Sequence, residues 1–275
     1  MLKLRDWIDI DKLDWDNLSL NPNSIELLKE NKDKINWNSL SFNPNAIELL
    51  KENKDKIYWE GLSENLNLDA IKLIKENKKK INWDVLSENP NAMLLLKENP
   101  NKINWNYLSK NPNAIELLKE NKKKINWVSL CRNINAIKLL KENQNKIDWD
   151  VLSKNPNAIE LLKENKDKIN WKYFSGNPNA IELLKENKDK INWRWLSLNS
   201  NAIELLKENQ NKIIWSCFSK NPNIFTYDYK LMKETIKKSG IVEELMSVIF
   251  HPKNMNKWID WGFVEHQEFM DLINK

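Results

Sequence analysis

The chain is poor in the residues that build most catalytic sites. It has 4 glycines, 2 cysteines and 2 histidines in 275 residues. So few glycines leave no Gly-rich phosphate loop and few places where backbone can approach a ligand closely. Cys131 and Cys217 cannot form a disulfide framework and fit no zinc pattern, which points to a reducing compartment. His251 and His266 have no Cys, Ser–Asp or metal-spaced companions, so the expectation is no enzyme, no cofactor and no metal site. There is no run of 18 apolar residues and no apolar stretch after Met1-Leu2-Lys3-Leu4. The expectation is a soluble intracellular protein without signal peptide or membrane span.

What the chain has in excess is asparagine (44 residues) and 14 tryptophans. Ten of the tryptophans are evenly spaced: Trp15, Trp37, Trp59, Trp83, Trp105, Trp127, Trp149, Trp171, Trp193 and Trp215. The interval is 22 residues except between Trp59 and Trp83, where it is 24. A fixed period of this length marks a repeat architecture. The two extra residues, near Asn65-Leu66-Asn67-Leu68, read as a loop insertion.

Within a repeat, Ala46, Ile47, Leu49 and Leu50 lie on one face of a helix, with charged residues between them. Asn43 is a suitable N-cap and Pro44 suits the first turn, so this helix is expected over roughly 44–52. Asn53, in the place usually held by glycine, is expected to be a left-handed C-terminal residue. A polar turn, Lys54-Asp55-Lys56, leads into a shorter helix carrying the Trp. Where that shorter helix carries Trp37, Asn36 is its cap, and Ile35 with Leu40 forms a hydrophobic staple. Leucine-rich repeats share this period but need alternating leucines, which Ala-Ile-Glu-Leu-Leu-Lys-Glu lacks. The fold expected is all-α, an α-solenoid of about ten 22-residue helix–turn–helix repeats. Residues 1–12 and 224–275 would cap an array over 13–223, and the array would extend on the order of 80–100 Å unless the superhelix curls tightly.

The framework tryptophans, a structural ladder in this reading, share the buried stripe and are expected between layers. Truncating one, Trp127→Ala, should then cost roughly 3–5 kcal/mol. Two positions after each Trp lies a slot that varies while the framework stays fixed. Val85, Tyr107, Val151, Tyr173 and Trp195 occupy it in five repeats, with Arg194 beside Trp195. Stacking would align these side chains into a candidate surface for a protein partner. Lysines recur in the turns, but Asp33, Asp55, Asp167 and Asp189 sit among them, and no exposed aromatics are expected beside them. A solvated face is the expectation there, and nucleic acid is not the expected partner.

The unit Asn177 to Trp193, Asn-Pro-Asn-Ala-Ile-Glu-Leu-Leu-Lys-Glu-Asn-Lys-Asp-Lys-Ile-Asn-Trp, resembles the short-repeat proteins encoded in many copies by giant viruses of amoebae. The likeness covers about residues 13–223. It implies a viral helical-repeat protein, in host cytoplasm or virion, whose binding surface serves interaction or scaffolding. Self-assembly in a virion and weak polyanion binding are the alternatives. The identity of any partner and the oligomeric state are not written in the residues.

Overall fold

The computed structural model describes residues 2–239; His251, His266 and, of the cap expected over 224–275, the part from 240 onward lie outside them. Contacts divide the chain into two units, Leu4–Thr226 and a second made of Met1–Lys3 with Tyr227–Lys275. In the second unit the described residues include a helix, Tyr229–Lys238, capped by the Asp228 carboxylate. Two short strands, β1 (Leu2–Leu4) and β2 (Phe225–Tyr227), pair with each other.

The first unit is an all-α solenoid in which nine of the ten repeats contribute two short helices and the last contributes one. Ten helices begin at the framework tryptophans, from Trp15–Leu20 to Trp215–Phe218. Nine others carry the Ile-Glu-Leu-Leu-type sequence, from Ile25–Glu30 to Ile203–Glu208. The second class is shorter than the sequence suggests, because Pro44-type residues sit in a tight turn ahead of it, tightened to a 3₁₀ turn in most repeats (Pro112–Ala114, Pro156–Ala158). Such helices would not persist alone in water, and their leucines supply the packing that holds them. Leu28, Leu50, Leu96 and their equivalents are wholly buried, as are Leu40, Leu108 and Phe174 of the Trp helices.

Two local expectations are corrected. Asn53 is not left-handed: its φ is −129°. Its side-chain amide instead donates to the Leu49 carbonyl at 2.9 Å, closing the helix end with a side chain, and the other eight copies do the same. The two-residue insertion is not a loop either. Leu68 and Asp69 prolong the next helix to nine residues, Leu68–Glu76, with Asn67 as its cap.

The larger correction concerns the ends. An open stack needs its two faces covered, but here the first and last repeats meet. Asn43 donates to the carbonyls of Ser19 and Asn21 in the preceding repeat, and Asn45 donates to that of Pro22. Asn21 makes the corresponding bonds to Ser219 and Asn221 of the last repeat, and Asn23 bonds to Pro222. The backbone N–H of Asp14 reaches the Ser219 hydroxyl at 2.8 Å, as that of Asn36 reaches Ser19 at 3.1 Å. Trp7 packs on Phe218 and Arg5 bonds to the carbonyls of Asn223 and Ile224, so the segment near residues 5–9 takes the place of a tenth outer helix. The ten repeats form a closed ring. The superhelix thus curls tightly enough to close, and the extended length does not apply.

The curl has a physical cause. One asparagine side chain plus one hydrogen bond spans a gap of roughly 6–7 Å between backbones. Packed helices stand about 8–10 Å apart. The asparagine-bonded edge is therefore the narrow, inner rim, on a circle of about 10 Å radius for ten repeats closing at that spacing.

The tryptophans are half-buried against the core rather than sealed between layers. One face of nine of the ten rings is covered by the last lysine of the next repeat's turn, at 4.3–5.5 Å from the ring centroid. Lys12 over Trp215 continues this pattern across the join. Half-exposed aromatics thus do lie beside the turn lysines, contrary to the expectation from sequence, but those lysines are already engaged with them. For Trp127, under Lys146 at 4.3 Å, truncation loses the ring's partial burial along with one cation–π contact. Trp127→Ala should therefore cost about 2–3 kcal/mol in denaturant unfolding, below the cost of a fully buried ring. A loss near zero would show that the ladder contributes no packing.

Candidate functional site

The inner rim is built by a five-residue segment, Ser-X-Asn-Pro-Asn in most repeats. Its serine hydroxyl, four residues after the Trp, donates to the Trp carbonyl and accepts a backbone N–H from the next repeat, as in Ser41 with Trp37 and Tyr58. Cys131 stands in this place once; burial raises its thiol pKa, so the thiol stays protonated. The first asparagine is buried in all ten repeats. Its Oδ1 accepts the N–H two residues on, and its Nδ2 bridges two carbonyls of the previous repeat. Sequence reasoning found the cap and missed the bridge, although the invariant spacing of both asparagines was there to be read.

This frame fixes three variable lanes around the ring: the residue after each Trp, the residue two after it, and the residue between Ser and Asn. The third lane of one repeat lies against the second lane of the next. Phe42 covers Gly61, where a Cβ would come within 2.8 Å of the Phe42 ring. Gly176 leaves room for Trp195, whose Cε3 would stand 3.0 Å from an added Cβ. Lys154 lies over Tyr173 at 4.0 Å and over Trp195 at 4.7 Å.

Of the residues singled out from sequence, the structure unites Tyr173 and Trp195, edge to face with centroids 5.3 Å apart. Arg194 is exposed in the first lane beside them, and Val151 and Tyr107 are half-buried in neighbouring repeats. Val85 is different: at 5% exposure it is part of the wall, not a free contact. It lines a cavity of about 310 Å³ whose apolar sides include Leu66, Pro90, Pro112 and Ile134. Glu64, Glu88, Lys110 and Arg132 line the same cavity, with Lys110 and Glu88 paired at 2.7 Å.

Charge is partitioned along the rim. In the first and third lanes, Asp16, Glu60, Glu64, Asp84 and Glu88 all belong to the first four repeats. Lys110, Arg132, Lys154, Lys172, Arg194 and Lys220 all belong to the last six, where Asp150 is the single acid of these lanes. The effect is visible in protonation. Burial, then neighbouring Glu88, hold the Glu64 carboxyl above the usual range, against the pull of Lys110. Burial lowers the Lys154 pKa, and Arg132 and Lys172 lower it further.

A carboxyl with a raised folded pKa is most stabilising when protonated, so its cost appears as pH rises through that value. Glu64→Gln should therefore raise the unfolding free energy slightly at pH 7, by well under about 1 kcal/mol because the side chain is partly solvated. The advantage should fade as pH falls through the usual carboxylate range, where wild-type Glu64 takes up its proton ahead of an unfolded carboxyl. A variant less stable than wild type at pH 7 would mean that Lys110 outweighs burial and Glu88 together.

Among the described residues no group of three His, Cys, Asp or Glu could hold a metal ion, and no helix is long and apolar enough to cross a membrane. Set against known protein families, curated proteins and solved structures, the chain finds no match in any of the three.

Proposed function

We propose that this ring is a non-enzymatic scaffold that binds a protein partner through the variable lanes of its inner rim. The observation that carries the reading is the division of labour within the repeat. Residues that build the ring are nearly the same in every copy, while Lys154, Tyr173, Trp195, Arg194 and their equivalents differ from copy to copy. Stability alone gives no reason for such variation, since Ser, Gly, Val, Tyr and Trp all occupy one slot of the same frame. Aromatic and arginine side chains on a rigid support have the composition of interface hot spots. The likeness of the repeat to giant-virus proteins directs the search to host and viral partners.

The test is affinity capture with wild-type protein, with Tyr173→Ala/Trp195→Ala, and with the outer-helix variant Glu160→Ala/Glu182→Ala. A partner retained by wild type and the outer variant, and lost from the rim variant, supports the proposal. A partner held equally by all three, or none from infected or host extracts, speaks against it. Self-association of the purified protein in light scattering, unaffected by the rim variant, would favour a structural role in an assembly instead.

A further inference from the structure

We propose that the rim binds an extended polypeptide with segregated charge, its carboxylates on the arc from Arg132 to Trp195 and its basic end on the arc around Glu64 and Glu88. The inference rests on the reading of the lanes as a binding surface and adds the chemistry of what they take.

The basic arc is short of counter-charge. Lys154 has no carboxylate within ion-pair distance among the described residues. Its Nζ lies over Tyr173 and Trp195, and that of Lys172 is also over Tyr173, 5.5 Å from the ring centroid. Ring faces compensate a cation only in part, and an arriving carboxylate would form charge-assisted bonds to several donors held close together. Burial lowers the Lys154 pKa first, and Arg132 and Lys172 lower it further. The adjoining cavity, with Val85, Pro90, Pro112 and Ile134 in its walls, would seat an apolar side chain between the two arcs.

The charge pattern selects polypeptide over nucleic acid. A polyphosphate needs a continuous cationic track, because every residue of it carries the same sign. Here the track reverses between Glu88 and Lys110, within 22 residues of sequence and one step of the ring. Only a chain that changes sign along its length can follow the rim through that point with favourable contacts on both sides. Extended peptide suits the dimension as well, since successive repeats at the rim are spaced about two extended residues apart.

The experiment uses the full chain and fluorescence anisotropy with three labelled probes. One is a peptide of four glutamates, two leucines and four lysines in block order. The second has the same composition with the charges alternating. The third is a 20-nucleotide single-stranded DNA. The block peptide should bind at least tenfold more tightly than either of the others, and at least tenfold more weakly in 500 mM than in 50 mM salt. Arg132→Glu/Lys154→Glu should weaken it at least tenfold, and the exposed single change Lys172→Glu at least threefold. Lys188→Glu, in an outlying lysine turn, should change it less than twofold. Equal binding of the alternating peptide, tighter binding of DNA, or unchanged affinity in both rim variants would each overturn the inference. If rim-dependent partner capture persists while the block peptide shows no preference, the peptide chemistry falls alone; if that capture also fails, the binding surface falls with it.

Discussion

Replacing Asn111 by leucine should cost about 2–3 kcal/mol, a sizeable share of the stability of an ordinary domain. The side chain is wholly buried and makes three bonds at once. Its Nδ2 donates to Ser87 O at 3.0 Å and to Asn89 O at 2.9 Å, and its Oδ1 accepts from the Asn113 N–H at 2.9 Å. Leucine has nearly the same volume, so packing changes little and the loss is polar. The Asn89 carbonyl keeps the Ala92 N–H, but Ser87 O loses its cross-repeat donor and the Asn113 N–H loses its cap. An unsatisfied buried carbonyl costs about 1–3 kcal/mol and a lost N-cap about 1 kcal/mol. The added apolar surface offsets only part of that. Denaturant unfolding of Asn111→Leu beside Asn111→Ala measures it; a loss under about 1 kcal/mol in both would mean that water replaces the amide without penalty.

The second large effect is expected at Asn21, and its size depends on closure. Asn21 is as buried as Asn111 and bridges Ser219 O at 3.0 Å and Asn221 O at 2.9 Å. In an open stack the same residue would face water at one end, where a leucine costs less than about 1 kcal/mol. In the closed ring Asn21→Leu should match Asn111→Leu within about 1 kcal/mol, because the chemistry lost is the same. The comparison is internal, so errors in the absolute figure cancel. A mild effect at Asn21 together with a severe one at Asn111 would mark the seam as weak or absent.

These two residues also show which parts of the structure can be read in advance. The period, the two helices and the apolar stripe follow from spacing alone, since Ala46, Ile47, Leu49 and Leu50 can share a face only in a helix. The caps at Asn36 and Asn43 are equally local, and their carboxamides accept the N–H groups expected of them. Asn53 is ambiguous because two mechanisms end a helix with asparagine, a left-handed backbone or a donating side chain, and sequence does not separate them. Closure is not legible, because no single residue encodes it. It follows from the difference between an amide-bridged edge and a helix-packed edge, summed over ten steps. The candidate surface is legible in outline from the variable slots. What sequence alone does not provide is register: that Val85 is wall, that Lys154 lies over Tyr173 and Trp195 of two successive repeats, and that the charges of the first and third lanes fall on separate arcs.

The tryptophan ladder takes a smaller role than its regularity suggests. The indoles pack against the core, and nine of the ten carry a lysine over the ring, so they link neighbours without sealing them. The rim asparagines are more deeply buried and each joins two repeats by hydrogen bonds that water would otherwise contest. The ring is held by apolar layers on its outer side and by a polar belt on its inner side, and the rigidity of that belt presents the variable lanes in fixed order.

The most direct measurement is a pair of distances by pulsed electron paramagnetic resonance, with spin labels on exposed first-lane positions and the buried native cysteines left in place. Labels at Asp16 and Asn38 report one ordinary step between repeats; labels at Asp16 and Ser216 report the step from the first repeat to the last. A closed ring predicts that the two distances agree to within a few ångströms. An open stack of ten layers would place Asp16 and Ser216 roughly 70–90 Å apart, and a distance in that range would contradict the ring.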